Sequence, residues 1–293
     1  MRLLVEEISA WAKDRQSGFY VIPQNGVELL TTDGEPDGPP ATEYIDALDG
    51  IGQEELFYGY TADDRPTPPE VTEYLSAFLD LAKQSGRTIL VTDYCSTPAR
   101  IDSSYMLNRA KGYISFAADS RELDRIPAYP LPPFNANDDT ITSLSQVRNF
   151  LYLINPDNRF PDKQSFIRAV QSTDYDLLIT DLFFDGQAFT AGETEALRQK
   201  ANGGRRLLIA YMSIGEAEDY RYYWQSDWRP GNPSFIVAEN PDWPGNYIVR
   251  YWDPAWKQIL FGNDSSYLKK ILDAGFDGVY LDIIDAYTYF ENL

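Results

Sequence analysis

The chain has 293 residues, and its 43% of hydrophobic residues is enough to form one large α/β domain or two smaller ones. Its 45 acidic and 25 basic residues give a formal net charge of -20, which argues against nucleic acid or an anionic membrane surface as a partner. No apolar stretch reaches the length of a membrane span, and the first residues lack the apolar core of a signal peptide. The acidity either serves solubility or suits a cationic substrate.

Two features of the composition narrow the chemistry. The sequence contains no histidine and a single cysteine, Cys95. Ser-His-Asp triads, His-ligated zinc and an intrachain disulfide are therefore excluded. Acid–base work has to fall to Asp, Glu, Tyr, Lys or water, and we expect no cofactor.

The predicted elements begin with an amphipathic helix in "MRLLVEEISAWAKDR", where Leu4, Ile8 and Trp11 recur at helical spacing. Short apolar runs then alternate with helical segments such as "PPEVTEYLSAFLDLAKQSG", which has a Pro start and a Gly stop. Near-continuous apolar strands are typical of a parallel sheet covered by helices. The strand candidates are residues 19–26, 48–56, 87–95, 112–120, 149–157, 176–186, 205–218, 247–254 and 278–285.

This alternation favours a (β/α)8 TIM barrel over a doubly wound sheet, since no Gly-rich G-x-G-x-x-G turn is present. Nine strand candidates are one too many for eight positions. We therefore expect either 48–56 or 112–120 to be short or peripheral. The Pro-rich segment 127–140 is the most linker-like stretch, and we expect residues 1–293 to form a single domain.

The C-terminal ends of the predicted strands are unusually acidic, and these ends carry the catalytic groups of a barrel. Aromatic side chains accompany the acids, and the amide Asn25 follows the first strand. Carboxylates beside aromatics and amides predict a carbohydrate site, where one acid protonates the leaving oxygen and another acts as nucleophile or activates water. The candidates are Glu54, Glu55, Asp93, Asp181, Glu216, Asp253, Asp282 and Asp285, with Tyr211 and Trp252.

Two other interpretations of these acids are open. Asp residues often cap the helices that follow strands, although capping does not explain doubled acids with adjacent aromatics. Carboxylates also bind divalent metal ions, but no EF-hand-like spacing is present.

Four phrases make the sequence recognisable: "AYMSIGEAEDYRYYW", "NPDWPGNYIVRYWDPAW", "AGFDGVYLDIIDAYTYF" and "FYVIPQNGVELL". Together they resemble the endo-α-1,4-polygalactosaminidase-like glycoside hydrolases of family 114 and their bacterial relatives. The resemblance implies a TIM barrel that is extracellular or on the cell surface. It also implies a cationic amino-sugar polysaccharide as substrate, namely α-1,4-linked galactosamine.

The order of the phrases differs from that family. There the "NFLYLINP" strand comes first and the "GVYLDIID" strand, fifth in the family order, is followed by a helix and the "VIPQNG" strand. Here that helix and strand are residues 1–26. The order therefore looks circularly permuted, with the break between the fifth strand and the fifth helix and with 127–140 joining the ancestral ends. A short distance between Met1 and Leu293 would support this hypothesis.

The resemblance implies Asp282 as nucleophile or base and Glu54 as general acid, with the adjacent Glu55 as the alternative acid. Asp285 becomes the second acid of the "YLDIID" phrase. Asn25, Asp181, Glu216, Arg250 and Asp253 become substrate-binding candidates, although Arg250 and Asp253 would equally suit a structural ion pair. Two alternative functions are a non-catalytic carbohydrate-binding barrel and a carboxylate-metal lyase or isomerase.

Overall fold

The structure is a computed structural model that describes residues 1–291. Its helices are α1 (Arg2–Arg15), α2 (Thr42–Ala47), α3 (Pro69–Gln84), α4 (Pro98–Lys111), α5 (Lys163–Gln171), α6 (Ala191–Leu197), α7 (Pro254–Leu260), α8 (Tyr267–Asp273) and α9 (Tyr287–Glu291). Its strands are β1 (Tyr20–Pro23), β2 (Gly50–Glu54), β3 (Thr88–Tyr94), β4 (Ile114–Ala118), β5 (Phe150–Tyr152), β6 (Leu177–Asp181), β7 (Phe183–Phe184), β8 (Gln187–Ala188), β9 (Leu207–Ser213), β10 (Glu216–Glu218), β11 (Ile236–Glu239), β12 (Asn246–Val249) and β13 (Gly278–Asp282).

Two parallel sheets form the centre of the fold. One has five strands in the order β1-β13-β9-β6-β5, and the other has three strands in the order β2-β3-β4. Every residue of β6 and β9 is buried, as expected for strands covered on both faces. The predicted parallel α/β architecture is confirmed, and the arrangement is compatible with a TIM-type fold.

The two sheets meet at both of their edges. Gln24, just after β1, forms a parallel bridge with Gly52 of β2. At the other edge the rings of Phe116 on β4 and Phe150 on β5 lie 5.8 Å apart. The five-stranded sheet is also strongly curved, because the Tyr152 hydroxyl of its β5 edge donates to Gln24 Oε1 beside its β1 edge at 2.9 Å.

The ninth strand candidate belongs to a separate antiparallel sheet. β12, from residues 247–254, pairs antiparallel with β10 and β11 outside the parallel sheets. Residues 48–56 and 112–120 instead supply β2 and β4, so the expectation that one of them is short or peripheral was wrong. The backbone N–H and C=O groups of β12 form their hydrogen bonds with these antiparallel neighbours. The strand is therefore stable outside the central parallel sheets. Counted in space from β5, β13 is the fourth strand of the five-stranded sheet.

The first and third helices confirm their sequence patterns. α1 buries Leu4, Val5 and Ile8, while α3 has Pro69 in its first turn and buries Phe78 and Leu79. These apolar faces pack in the same core as the strands. None of the helices in the described range is both long and apolar enough to cross a membrane.

The Pro-rich segment 127–140 is anchored at its C-terminal end. Lys200 Nζ lies 2.9 Å from Asp176 Oδ1, and both side chains are fully buried. The same ammonium donates to Asn137 Oδ1 at 3.2 Å, and Asn137 Nδ2 donates in turn to the carboxylate of Asp176. The buried Lys200–Asp176 pair therefore fixes the connection between β4 and β5 beside the start of β6.

Candidate functional site

Glu54 ends β2 and is held by three side chains from the ends of β1 and β3. Its Oε2 accepts from Gln24 Nε2 at 2.7 Å and from Asn25 Nδ2 at 3.0 Å. Its Oε1 accepts from the hydroxyl of Tyr94, at the end of β3. The left-handed backbone of Asn25, with φ of 61°, also lets its Oδ1 accept from the Glu54 backbone N–H at 3.0 Å. Glu54 is therefore fixed in one orientation.

Asp282 ends β13, two strands away from Glu54 across β1. Its Oδ2 accepts from the hydroxyl of Tyr211 at 2.7 Å, and its Oδ1 accepts from the backbone N–H of Ile283 at 2.8 Å. Since neighbouring strands lie about 4.8 Å apart, the two carboxylates start from backbones about 10 Å apart.

The two carboxylates interact electrostatically. Burial raises the pKa of Asp282 to about 7, and the charge of Glu54 contributes to the rise. Burial also raises the pKa of Glu54, against the hydrogen bonds from Tyr94 and Asn25 that favour its charged form. Asp282 therefore titrates near neutral pH beside a second acid whose pKa is also raised, an arrangement typical of catalytic acid–base groups.

A cavity of about 1130 Å³ lies beside these residues, with Asn25, Gln53 and Asp285 in its wall, although neither Glu54 nor Asp282 itself lines it. The wall is rich in carboxylates and phenols. Arg2 is its one guanidinium among the described residues, and Arg2 Nε is already bound to the carbonyl oxygen of Leu29 at 2.8 Å. The acids are Glu28, Asp33, Glu70, Asp285 and Glu291, and the tyrosines are Tyr60, Tyr74, Tyr251 and Tyr287.

Asp181, at the end of β6, lies in a buried ion-pair cluster. Arg221 contacts the Asp181 carboxylate at 2.7 Å and Glu218 Oε2 at 2.6 Å. The guanidinium also lies 5.6 Å from the ring centre of Tyr267. Both carboxylates thus share one cation, and this arrangement fits a structural role.

Three other candidates make structural contacts. The buried carboxylate of Asp93 accepts four hydrogen bonds, two of them from the backbone N–H groups of Phe57 and Tyr58. Asp253 caps α7 by accepting from Ala255 N at 2.8 Å. Glu55 pairs with Arg121 at 2.6 Å.

Arg250 and Asp253 are not an ion pair within the described residues. The exposed guanidinium of Arg250 donates to the carbonyl oxygen of Ser234 instead. The backbone N–H of Asp253 donates to the carbonyl oxygen of Arg250 at 2.8 Å, so the two residues share a turn rather than a side-chain contact. The ion-pair alternative was therefore wrong.

The remaining candidates lie around the pair and the cavity. Tyr211 contacts Asp282 directly, and Asp285 lines the cavity. Glu216 is 4% exposed and accepts from Asn240 at 2.7 Å, and the charge of Asp285 is one of the influences that raise its pKa. Trp252 is 48% exposed and packs edge-to-face on Phe290 at 4.6 Å.

Sequence reasoning assigned no site role to Tyr152, Tyr280, Gln53 and Arg221. The tyrosines lie within apolar strands, where an aromatic residue ordinarily predicts core packing. Arg221 had a weak signal, since it follows Glu218 by three residues within the quoted phrase "GEAEDYRYYW". The structure brings Arg221 to Asp181, 40 positions away along the chain.

No group of three or more acidic or cysteine side chains among residues 1–291 is arranged to hold a metal ion.

The chain is similar to three curated proteins over part of its length. An uncharacterized protein of Deinococcus radiodurans is 44% identical over 130 residues, which are 44% of this chain and 39% of the relative. The uncharacterized protein MJ1477 of Methanocaldococcus jannaschii is 37% identical over 156 residues, 53% of this chain and 43% of the relative. An uncharacterized protein of Thermotoga maritima is 38% identical over 123 residues, 42% of this chain and 36% of the relative. The matched region thus spans less than half of each relative.

Residues 156–293 match the sequence model of the glycoside-hydrolase family GH114. This region runs from the residues after β5 through the Asp181–Arg221 cluster to β13 with Asp282. The resemblance to glycoside-hydrolase family GH114 is therefore confirmed, and the C-terminal part of the chain carries it.

Proposed function

We propose that the protein hydrolyses an α-linked amino-sugar polysaccharide, with Asp282 as nucleophile or base and Glu54 as general acid. The observation that carries this proposal is the pair of buried carboxylates at the ends of β13 and β2, in which the charge of Glu54 adds to the effect of burial on Asp282, beside an acidic cavity rich in tyrosine. Burial raises both pKa values, that of Asp282 to about 7, which suits the proton transfers of glycoside hydrolysis. The match of residues 156–293 to a glycoside-hydrolase family supports the same reaction class.

Each residue has a definite task in this reaction. Glu54 gives its proton to the glycosidic oxygen as the bond to the anomeric carbon breaks, and Asp282 attacks that carbon or deprotonates the attacking water. Tyr211 holds Asp282 Oδ2, and it remains a hydrogen-bond donor because burial keeps its pKa well above the usual range. Asn25, Glu216, Asp285 and Trp252 are proposed to bind neighbouring sugars, together with Tyr211.

The substrate class follows from the charge of the cavity. Five carboxylates line it, and the sugar amines of a galactosamine polymer are protonated near neutral pH. Carboxylates hold ammonium groups through charge-assisted hydrogen bonds, and tyrosine rings stack on sugar faces. A polysaccharide substrate also fits an extracellular or cell-surface location, which we propose from the family resemblance.

We further propose that the eight central strands close into one barrel in a single domain, with permuted order. The contacts at both sheet edges and the curvature that brings Tyr152 to Gln24 support closure. The family match begins at residue 156, after β5, which supports β5 as the ancestral first strand. Leu293 lies outside the described residues, but Met1 and Glu291 line the same cavity. In the spatial order of the strands, the proposed permutation break falls between β13, the fourth strand counted from β5, and the helix α1.

The test is a product assay on partially deacetylated galactosaminogalactan, with a fully N-acetylated sample as the comparison. We expect new reducing ends from the first polymer and few from the second. Loss of the reaction in Asp282→Asn and Glu54→Gln is expected, with circular dichroism confirming that both variants fold. Unchanged cleavage in either variant would refute the catalytic pair. Binding of the polymer with no reducing ends released would favour a carbohydrate-binding barrel instead.

A further inference from the structure

Two consecutive hydrogen bonds link the buried Tyr152 to Glu54 through Gln24. The hydroxyl of Tyr152 donates to Gln24 Oε1 at 2.9 Å, and Gln24 Nε2 donates to Glu54 Oε2 at 2.7 Å. Gln24 is 4% exposed and Tyr152 is 1% exposed. Because the hydroxyl occupies the oxygen end of the Gln24 amide, the nitrogen end has to face the carboxylate.

The side-chain amide of Asn25 also donates to Glu54 Oε2, and different contacts fix its orientation. Asn25 Oδ1 accepts from Gln53 Nε2 at 3.1 Å and from the Glu54 backbone N–H at 3.0 Å, so its nitrogen is the end that points at Glu54. Asn25 Nδ2 reaches Oε2 at 3.0 Å. Glu54 Oε2 thus receives two N–H donors whose directions the surrounding structure determines.

We propose that Tyr152 and Gln24 are positioning residues that assign the acidic proton of Glu54 to Oε1. This inference rests on the proposed role of Glu54 as general acid. Oε2 receives two N–H groups, and Oε1 receives the Tyr94 hydroxyl. A third hydrogen on Oε2 has no good hydrogen-bond direction, whereas Oε1 can carry the proton and still accept from Tyr94 with its remaining lone pair, so protonation occurs at Oε1. The proton on Oε1 passes to the glycosidic oxygen as its bond to the anomeric carbon breaks, and that oxygen keeps the bonding electron pair. Tyr152 itself touches neither the substrate nor the reacting atoms.

The charged and titratable groups around Glu54 come from several elements. They are Glu55 beside it, Tyr94 of β3, Arg121 after β4, Tyr152 of β5, and Tyr280 and Asp282 of β13. The variants below leave the charge of each of these groups unchanged at working pH, because burial keeps the pKa of both Tyr152 and Tyr280 well above the usual range. A change in the titration of Glu54 therefore reports the orientation of the Gln24 amide.

Tyr280 provides a matched control for Tyr152. The two rings pack 5.2 Å apart, and Tyr280 is also fully buried. Its hydroxyl has no hydrogen-bond partner among the described residues. Tyr152→Phe and Tyr280→Phe therefore each remove one buried hydroxyl from the same cluster, but only the first releases Gln24.

The primary experiment is a ¹³C NMR titration of Glu-labelled protein, with the Glu54 signal assigned by its loss in Glu54→Gln. In Tyr152→Phe the Gln24 amide is free to turn its oxygen toward Oε2, and only protonated Glu54 can pair with that oxygen. We expect an about tenfold higher ratio of protonated to ionised Glu54 at a given pH, the equivalent of one lost hydrogen bond. Tyr280→Phe should titrate like the unaltered protein. Identical titration of the two variants would overturn the proposal.

A kinetic measurement separates positioning from general destabilisation. In Tyr152→Phe we expect kcat to fall about tenfold with KM unchanged, because the proton moves to the wrong oxygen. The basic limb of the pH profile should move to higher pH, since the general acid stays protonated longer. A loss confined to KM, or an equal loss in Tyr280→Phe, would overturn the assignment. If the protein does not hydrolyse the polymer, the NMR titration still decides the hydrogen-bond chain, while the general-acid role fails separately.

Discussion

The ends of β13 and β6 present similar carboxylates in opposite electrostatic settings. Both strands flank β9, and each ends in an aspartate: Asp282 on β13 and Asp181 on β6. Asp181 contacts the guanidinium of Arg221 at 2.7 Å, whereas the donors to Asp282 within residues 1–291 are the hydroxyl of Tyr211 and the backbone N–H of Ile283.

This difference supports a structural role for Asp181 and the proposed chemical role for Asp282. Burial raises the pKa of both acids, but the charge and hydrogen bonds of Arg221 oppose the rise at Asp181, whereas the charge of Glu54 adds to it at Asp282. A buried carboxylate without a cation, near a second acid, can therefore exchange a proton near neutral pH, as we propose for Asp282. Strand-end position alone therefore does not identify a catalytic acid, and the partner of each acid has to be known.

The largest expected effect tests the proposed catalytic role of Asp282. Asp282→Asn should lower kcat/KM by about 10³-fold or more, because an amide can neither attack the anomeric carbon nor accept a proton from water. The measurement is reducing-end release from deacetylated polymer. Glu28→Gln, a cavity-wall change outside the pair, serves as the control and should cost far less. Comparable losses in both variants would remove the distinction between the pair and the wall.

The second effect concerns the buried cluster of Arg221 with Asp181 and Glu218. Arg221→Met should lower the free energy of unfolding by about 3–5 kcal/mol, because Asp181 and Glu218 would remain buried without their cation. Urea denaturation measures the change. Arg250→Met is the control, since its guanidinium is exposed, and it should cost less than about 0.5 kcal/mol. Equal costs for the two arginines would show that the cluster is not a structural unit.

The third effect is the dependence of stability on pH. The folded-state pKa of Asp282 is raised to about 7, so the folded protein binds this proton more tightly than the unfolded chain does. That contribution to stability is complete at low pH and is lost as pH rises through about 7. Asp282→Asn should therefore gain about 2 kcal/mol over the wild type between about pH 5.5 and about pH 8. The exposed Asp14→Asn variant should show no such trend in urea denaturation, and a gain that shrinks with rising pH would contradict the raised pKa.

The smallest effect concerns the exposed aromatic surface beside the cavity. Trp252→Ala should raise KM about fivefold with little change in kcat, as expected when one ring stacks on a sugar distant from the reacting bond. Tyr129→Ala, in the Pro-rich segment, removes a ring that is 39% exposed elsewhere and should leave KM unchanged. Equal KM values for Trp252→Ala and the wild type would remove Trp252 from the sugar-binding residues.

Local patterns predicted much of the fold because they depend on neighbouring residues. The helical spacing in α1 and the Pro start of α3 were sufficient to place both helices. The error over residues 247–254 arose because an apolar run has the same pattern in a parallel sheet and in an antiparallel excursion. Only the partner strands distinguish the two, and one of them, β10, lies some 30 residues earlier in the chain.

The sequence by itself determined the α/β class, the absence of histidine chemistry and the acids available at strand ends. The tertiary structure decided which acids are neutralised, which are coupled and which merely cap a helix, as Asp253 does. It also decided that Tyr152 of β5 reaches Gln24, 128 positions away, and so orients the amide beside Glu54. The physical reason is that charge and hydrogen-bond direction depend on distances of a few ångströms between residues far apart in the chain, which no local pattern specifies.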